Sequence, residues 1–139
     1  MIKKLLYIST LFFLSTNLFA KSEFVKQGID LYNKKKFEDA KFKFEQDIVY
    51  NPKSELSYLY LSKIFNKQDK KNLEEKNLNT VILLNPKNEE AIYNLARLKL
   101  ISSDYKKSKE LNKKLKSICS KFCSKSDQLK TEIENLSKK

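Results

Sequence analysis

The feature that most constrains this chain is a short motif that recurs at a fixed spacing. Asn-Pro-Lys-Ser-Glu occupies residues 51–55 and returns as Asn-Pro-Lys-Asn-Glu at residues 85–89, so Pro52 and Pro86 stand 34 residues apart. These are the only prolines in the chain. A turn motif that repeats every 34 residues predicts a helical-hairpin repeat, in which each unit contains two helices.

The composition agrees with an all-helical chain. The 139 residues include one glycine and two prolines, which is too few for the many turns of a β-rich fold. Hydrophobic residues make up 40% of the chain, enough for one domain with a core. We therefore expect long helices joined by short turns.

The period divides the chain into units 21–54, 55–88 and 89–122, and equivalent positions carry related residues. One column holds the small residues Gly28, Ser62 and Ala96. A small residue at this point would let two helices approach closely, which also accounts for the only glycine. A single hairpin cannot bury its own apolar face, so stacked neighbours are expected to supply the core.

The set of matching positions resembles the tetratricopeptide repeat family. The first unit matches the family pattern at six positions and the second at five, although Glu74 replaces a small residue there. The third unit matches at four positions, but it has no proline and carries Asn112 at a bulky position. The matching residues are Phe24, Gly28, Phe37, Ala40, Phe44 and Pro52, then Tyr58, Leu61, Phe65, Leu78 and Pro86, then Leu95, Ala96, Tyr105 and Ser108. The resemblance implies a right-handed α-solenoid of three hairpins.

Residues 123–139 predict one further helix that closes the array. Leu129, Ile133 and Leu136 recur at helical spacing, and Leu129 follows Leu95 by one period. Its polar outer side suits a capping helix. Ser124 and Asp127 have capping-box spacing, and at the two earlier helix starts the N-cap candidates are Ser54 and Asn88.

Residues 1–20 have the pattern of a secretory signal peptide. Lys3 and Lys4 precede a mostly apolar run that ends at Ala20, where cleavage is expected. A retained membrane anchor is the alternative, but polar residues interrupt the run, which is also shorter than the ~20 residues that a spanning helix needs. The pattern predicts a bacterial protein of the periplasm or the exterior, with no membrane span after cleavage.

The residue types argue against an enzyme, and no cofactor is expected. The chain has no histidine, which removes the commonest general base and the imidazole metal ligands. One glycine cannot form a glycine-rich phosphate loop. The carboxylates form no pair with a distinctive setting, so no catalytic or metal site is predicted.

Cys119 and Cys123 are the only cysteines, and they lie where the third unit loses its proline. An even pair in an exported chain predicts a disulfide that ties the last helix to the array. Free thiols, a redox pair and a metal pair are the alternatives. The spacing is not Cys-x-x-Cys, and two thiolates do not complete a zinc site.

The candidate site is a surface. The resemblance implies that the first helix of each unit lines a concave groove that holds a partner segment, with Lys63 and Arg97 available to a carboxylate. For Ile29 and Leu59, packing between repeats is the alternative role. The groove positions are Val25, Ile29, Tyr32 and Asn33, then Leu59, Lys63 and Asn66, then Tyr93 and Arg97.

The same resemblance argues against one class of ligand. The two-carboxylate clamp of chaperone-binding relatives needs Lys and Asn in the first unit, where this chain has Val25 and Ile29. We therefore expect a protein partner in the cell envelope that is not recognised through such a clamp.

Charge suggests a second function. The net charge is +12, and lysines concentrate at residues 34–36 and around residues 67–71, at the turns inside the first two units. A basic edge can attract an anionic polymer such as DNA or an envelope glycan. Only Arg97 is an arginine, however, and specific nucleic-acid recognition tends to use arginine, so nucleic acid is disfavoured. A structural subunit of an envelope complex is the third hypothesis.

Overall fold

The computed structural model describes residues 23–137, and within this range the chain is helical and contains no strand. The all-α prediction is therefore confirmed. The expected signal peptide, residues 1–20, lies outside the described residues. Seven helices lie in the described range: α1 (23–33), α2 (Phe37–Tyr50), α3 (Glu55–Lys67), α4 (Lys71–Leu84), α5 (Glu89–Ile101), α6 (Tyr105–Ile118) and α7 (Cys123–Leu136).

The turns inside the three hairpins share one backbone conformation. Lys35, Asp69 and Ser103 have positive φ values of 61°, 52° and 61°. In each turn the N–H groups of this residue and of the next one donate back to the preceding helix, as in Lys36 N to Leu31 O at 2.9 Å. This is the Schellman arrangement at a helix C-terminus. The 34-residue period of the sequence is thus also a period of backbone conformation.

Three further turns lead from one hairpin to the next helix, and we name them the first joint (residues 51–54), the second joint (85–88) and the third joint (119–122). At the second joint Asn88 caps α5, because its side chain accepts a hydrogen bond from Ala91 N at 2.8 Å. The predicted N-cap role of Asn88 is confirmed. At the first joint the Ser54 hydroxyl donates to the Ser57 hydroxyl at 3.1 Å.

The start of α7 differs from the prediction. The helix begins at Cys123, and Phe122 at the N-cap position makes no side-chain capping bond. The predicted capping box of Ser124 and Asp127 is wrong, because Ser124 already lies in the first helical turn. The N–H groups before this helix therefore need another acceptor.

The described residues form two compact units, 23–60 and 61–137, which divide inside α3. In the first unit, Gly28 lies against the Phe44 ring. A Cβ atom at residue 28 would be 2.7 Å from Cε1 of Phe44, which is too close for an ordinary contact. The glycine therefore permits the close approach of α1 and α2 that its position predicted.

A buried polar cluster also lies in the first compact unit, residues 23–60. The carboxylate of Asp47, which has no exposed surface, accepts a hydrogen bond from the Ser57 hydroxyl at 2.6 Å. Val81 and Leu115, one and two periods later, are equally buried. The same repeat position therefore holds either a hydrogen-bonded carboxylate or an apolar side chain.

In the second unit, α5 packs against α4, α6 and α7. The Ser108 hydroxyl on α6 donates to the Ala96 carbonyl on α5 at 2.8 Å, so both small residues lie at the helix contact. Two residues of α7, Leu129 and Ile133, are almost fully buried. The last helix is therefore part of the core of this unit, as the hydrophobic pattern predicted.

Of the helices within residues 23–137, none combines the length and the apolar character needed to cross a membrane.

Candidate functional site

The third joint is held by a carboxylate from the start of α5. Glu89 accepts hydrogen bonds from the backbone N–H groups of Ser120, Lys121 and Phe122 at 2.8, 2.9 and 2.8 Å. It also accepts one from the Ser120 hydroxyl at 2.8 Å. These hydrogen bonds lower the pKa of Glu89 from 4.5 to about 2. The bond from the Ser120 hydroxyl contributes most, and the bonds from the three N–H groups add to it. Such bonds favour the ionised form of a carboxyl group.

The same segment is closed by the cysteine pair. The sulfur atoms of Cys119 and Cys123 lie at disulfide-bonding distance, and their Cα atoms are 5.2 Å apart. The cysteines enclose all three residues whose N–H groups bind Glu89. We call residues 119–123 the cysteine ring.

Two aromatic side chains meet beside the cysteine ring. The ring centroids of Tyr93 on α5 and Phe122 are 5.6 Å apart. The Lys125 ammonium nitrogen lies 4.3 Å from the centroid of Phe122 and 5.4 Å from that of Tyr93, within cation–π range. Both aromatic residues are partly exposed, and Lys125 is exposed. We call these three residues the Tyr93 cluster.

The two basic residues predicted to receive a carboxylate each hold one from this chain. Lys63 Nζ lies 2.7 Å from Oε1 of Glu90, and Arg97 Nη1 lies 3.3 Å from Oε2 of Glu132 on α7. These pairs are partly exposed, and exposed pairs contribute little to stability. Such a pair can exchange its carboxylate for that of another molecule at small cost.

Asn66 has a structural contact. Its Nδ2 lies 3.1 Å from both carboxylate oxygens of Glu74. Glu74 is 4% exposed, and burial raises its pKa above the ordinary value, opposed by the bond from Asn66. Glu74 occupies a repeat position at which the family pattern has a small residue, and a carboxyl group buried there needs a hydrogen-bond donor such as Asn66.

Helices α6 and α7 form the walls of an open cleft of about 290 Å³. Its lining is rich in lysine, and one of these, Lys116, is bound to Asp127 at 2.7 Å across the cleft. The lining residues are Lys109, Asn112, Lys113, Lys116, Ser126, Asp127, Lys130, Ile133 and Glu134.

Among residues 23–137, no three or more Asp, Glu or Cys residues come together in a group that could hold a metal ion.

Comparison with solved structures decides the fold. The TPR2B domain of yeast Sti1, solved in complex with pHsp70, matches with a TM-score of 0.78 and 15% identity, over 85% of this chain and 98% of that one. The Yersinia enterocolitica type III secretion chaperone SycD, solved with a peptide of the translocator YopD, matches with a TM-score of 0.75 and 15% identity, over 85% and 94%. The chain has the tetratricopeptide repeat fold.

A third tetratricopeptide structure is the first such domain of Spaghetti (RPAP3), bound to the HSP90 peptide SRMEEVD. It matches with a TM-score of 0.75 and 11% identity, over 84% of this chain and 93% of that one. No protein-family model matches the sequence. No curated protein matches it either.

In this tetratricopeptide fold, the predicted groove residues that lie within residues 23–60 have different surroundings. Tyr32 packs edge-on against Phe37 and Tyr60, with centroids 5.4 and 5.1 Å apart. Val25, Ile29 and Tyr32 are partly exposed, and Asn33 is exposed. Leu59 is only 6% exposed, so its side chain belongs to the core, which is the packing alternative considered for it.

The sequence placed Tyr93 and Arg97 in the predicted groove but did not identify the residues that contact them. Phe122, Lys125 and Glu132 lie 29 to 35 residues along the chain from the residue that each contacts, and no local pattern pairs them with α5. One signal was available for Phe122, because it is the only aromatic residue between the two cysteines.

Proposed function

We propose that this chain is an exported adaptor of a bacterial cell envelope, which binds a segment of a partner protein on the α5 surface that carries Tyr93. The proposal includes no catalysis. Similar tetratricopeptide folds have been solved with bound peptides, namely an HSP90 peptide on RPAP3 and a YopD peptide on SycD. These likenesses support binding of a peptide segment as the general function.

The observation that carries the proposal is the Tyr93 cluster. Two partly exposed aromatic rings lie side by side, with a lysine ammonium group over both. Aromatic side chains dominate the energetics of protein interfaces, because they bury a large area at a low cost in conformational entropy. Arg97, one turn further along α5, adds a charge that can bind a carboxylate of the partner.

Two features support the envelope location. Residues 1–20 have the charge and hydrophobicity pattern of a cleavable signal. The cysteine pair lies at disulfide-bonding distance, and disulfides persist in oxidising compartments such as the periplasm. If the location is correct, protein recovered from the producing cell begins at Lys21 and contains no free thiol.

The test is a crosslinked pull-down from the native envelope at moderate salt, with wild type and Tyr93→Ala as baits. We expect a partner that the wild type retains and Tyr93→Ala loses. Tyr50→Ala is the matched control, because Tyr50 is 61% exposed and lies outside the Tyr93 cluster. A partner retained equally by all three baits would contradict a binding role for Tyr93.

The lysine-rich cleft between α6 and α7 favours a second function, the binding of an anionic polymer. Lys109 and Lys113 on α6 and Lys130 on α7 contribute positive charge to this cleft. Binding through lysines would weaken steeply as salt rises from about 50 to about 200 mM, and it would survive Tyr93→Ala. Partner binding at the Tyr93 cluster is expected to show the opposite pattern.

A further inference from the structure

Three consecutive N–H groups of the cysteine ring converge on one carboxylate. Ser120, Lys121 and Phe122 all donate to Glu89 at 2.8 to 2.9 Å, with the Ser120 hydroxyl as a fourth donor. Successive N–H groups that point into one concavity form an anion-binding nest. Glu89 is thus an internal ligand, and it joins the start of α5 to the segment before α7.

The cysteine pair restricts the backbone that carries these donors. Cys119 is the C-cap residue that follows α6 and Cys123 begins α7, so a disulfide closes a loop of five residues. A loop this small has few conformations, and the closure keeps the three N–H groups on one side. Without the bond, the segment gains conformational freedom, and its N–H groups can turn to water.

Phe122 connects this arrangement to the proposed binding surface. Its N–H group donates to Glu89, and its aromatic ring contacts Tyr93 and lies under the Lys125 ammonium group. The backbone position of Phe122 therefore determines whether the two rings stand together. The Tyr93 cluster depends on a residue that lies inside the cysteine ring.

We propose that the Cys119–Cys123 disulfide and Glu89 act together as a redox-dependent latch, which assembles the Tyr93 cluster in the oxidised chain and releases it on reduction. Its consequence for partner binding rests on the function proposed above. The reductant is a dithiol, such as a thioredoxin-like protein. It supplies two electrons and two protons, the S–S bond breaks, Cys119 and Cys123 become thiols, and the dithiol becomes a disulfide.

The first test needs no partner. Amide hydrogen exchange is measured by NMR on the full chain without its signal, oxidised and then reduced with dithiothreitol. We expect the N–H groups of Ser120, Lys121 and Phe122 to exchange roughly tenfold faster or more after reduction. Contacts between the rings of Tyr93 and Phe122, measured as nuclear Overhauser effects, should weaken in parallel.

Two variants separate the parts of the latch. Glu89→Gln should speed exchange of the same three N–H groups even in the oxidised chain, whereas Glu110→Gln, a change at an exposed carboxylate on α6, should not. The double variant Cys119→Ser/Cys123→Ser should not respond to dithiothreitol. Unchanged exchange in reduced wild type or in oxidised Glu89→Gln would overturn the latch.

The second test measures binding. The probe is a peptide selected from a random-sequence display library on the oxidised chain. We expect its affinity to fall roughly tenfold on reduction, which corresponds to about 1.4 kcal/mol. Equal affinity for both redox states would overturn the latch while leaving the adaptor function intact. If the oxidised chain selects no peptide, the adaptor function fails, and the exchange measurement still decides whether the latch exists.

Discussion

The second and third joints stand one period apart in the same compact unit, but their backbone N–H groups have different acceptors. At the second joint all the N–H groups are satisfied within five residues. Asn85 N donates to Val81 O, and the N–H groups of Lys87 and Asn88 donate to the side chain and the carbonyl of Asn85. At the third joint, three N–H groups donate to Glu89, more than 30 residues away.

The difference explains why the repeat loses its proline at the third joint. Ser120 occupies the position of Pro86, one period later. A proline has no N–H group, whereas Ser120 donates both its N–H and its hydroxyl to Glu89. The second joint is therefore a turn defined by its own motif. The third joint is a contact between the starts of two helices, and it needs donors that the motif lacks.

The largest expected effect tests whether the third joint leads into a docked helix. Leu129 on α7 is 1% exposed, so Leu129→Ala should lower the free energy of unfolding by about 2–5 kcal/mol. Leu136→Ala on the same helix is the control, since Leu136 is 40% exposed and should cost much less. Urea denaturation measures both. Equal small losses would mean that α7 is not anchored, and the comparison of the joints would fail.

The next effect concerns the covalent closure of the third joint. Cys119→Ser/Cys123→Ser should lower the free energy of unfolding by about 2 kcal/mol, since the disulfide closes a loop of only five residues. Urea denaturation under oxidising conditions compares the variant with wild type. Reduction should destabilise only the wild type. If the variant also lost stability on reduction, the loss in the wild type could not be attributed to the disulfide.

Placing a proline in the third joint should break it. Ser120→Pro removes two donors to Glu89, so we expect a lower melting temperature and faster amide exchange in α7. The matched control is Lys121→Ala, which keeps the N–H group at a neighbouring exposed position. A proline that leaves the melting temperature unchanged would show that Glu89 does not hold this joint.

The reverse substitution should have the smallest effect. Pro86→Ser leaves the N–H groups of the second joint satisfied, and it adds freedom mainly to the unfolded chain, so we expect a loss of about 0.4–1 kcal/mol. Lys87→Ser, at the next exposed position, should change the free energy of unfolding by less than about 0.5 kcal/mol. A larger loss of stability from Pro86→Ser than from Ser120→Pro would reverse the comparison between the two joints.

Features determined by local sequence were predictable. The 34-residue period located the hairpins, and the polar residue before α5 identified Asn88 as its N-cap. Gly28 was correctly related to a close helix approach, because a glycine inside a helix is otherwise unfavourable.

Features that depend on distant contacts were not predictable. Asn66 was placed in the groove, but the buried Glu74 requires it as a hydrogen-bond donor. In the sequence Glu89 stood out only as the last residue of the repeated motif at residues 85–89. Its role depends on how α5 and α7 pack, and the local pattern does not contain that information.

The central claim is that the carboxylate of Glu89 holds the third joint, and the pKa of this residue tests it most directly. Because the folded-state pKa is lowered, the stabilisation is present above the ordinary pKa of 4.5 and is lost as pH falls from there towards 2. Glu89→Gln should remove this part of the acid sensitivity. NMR titration of the Glu89 side-chain carboxyl carbon should give a pKa of about 2. A pKa near 4.5 in the folded, oxidised chain would contradict the account.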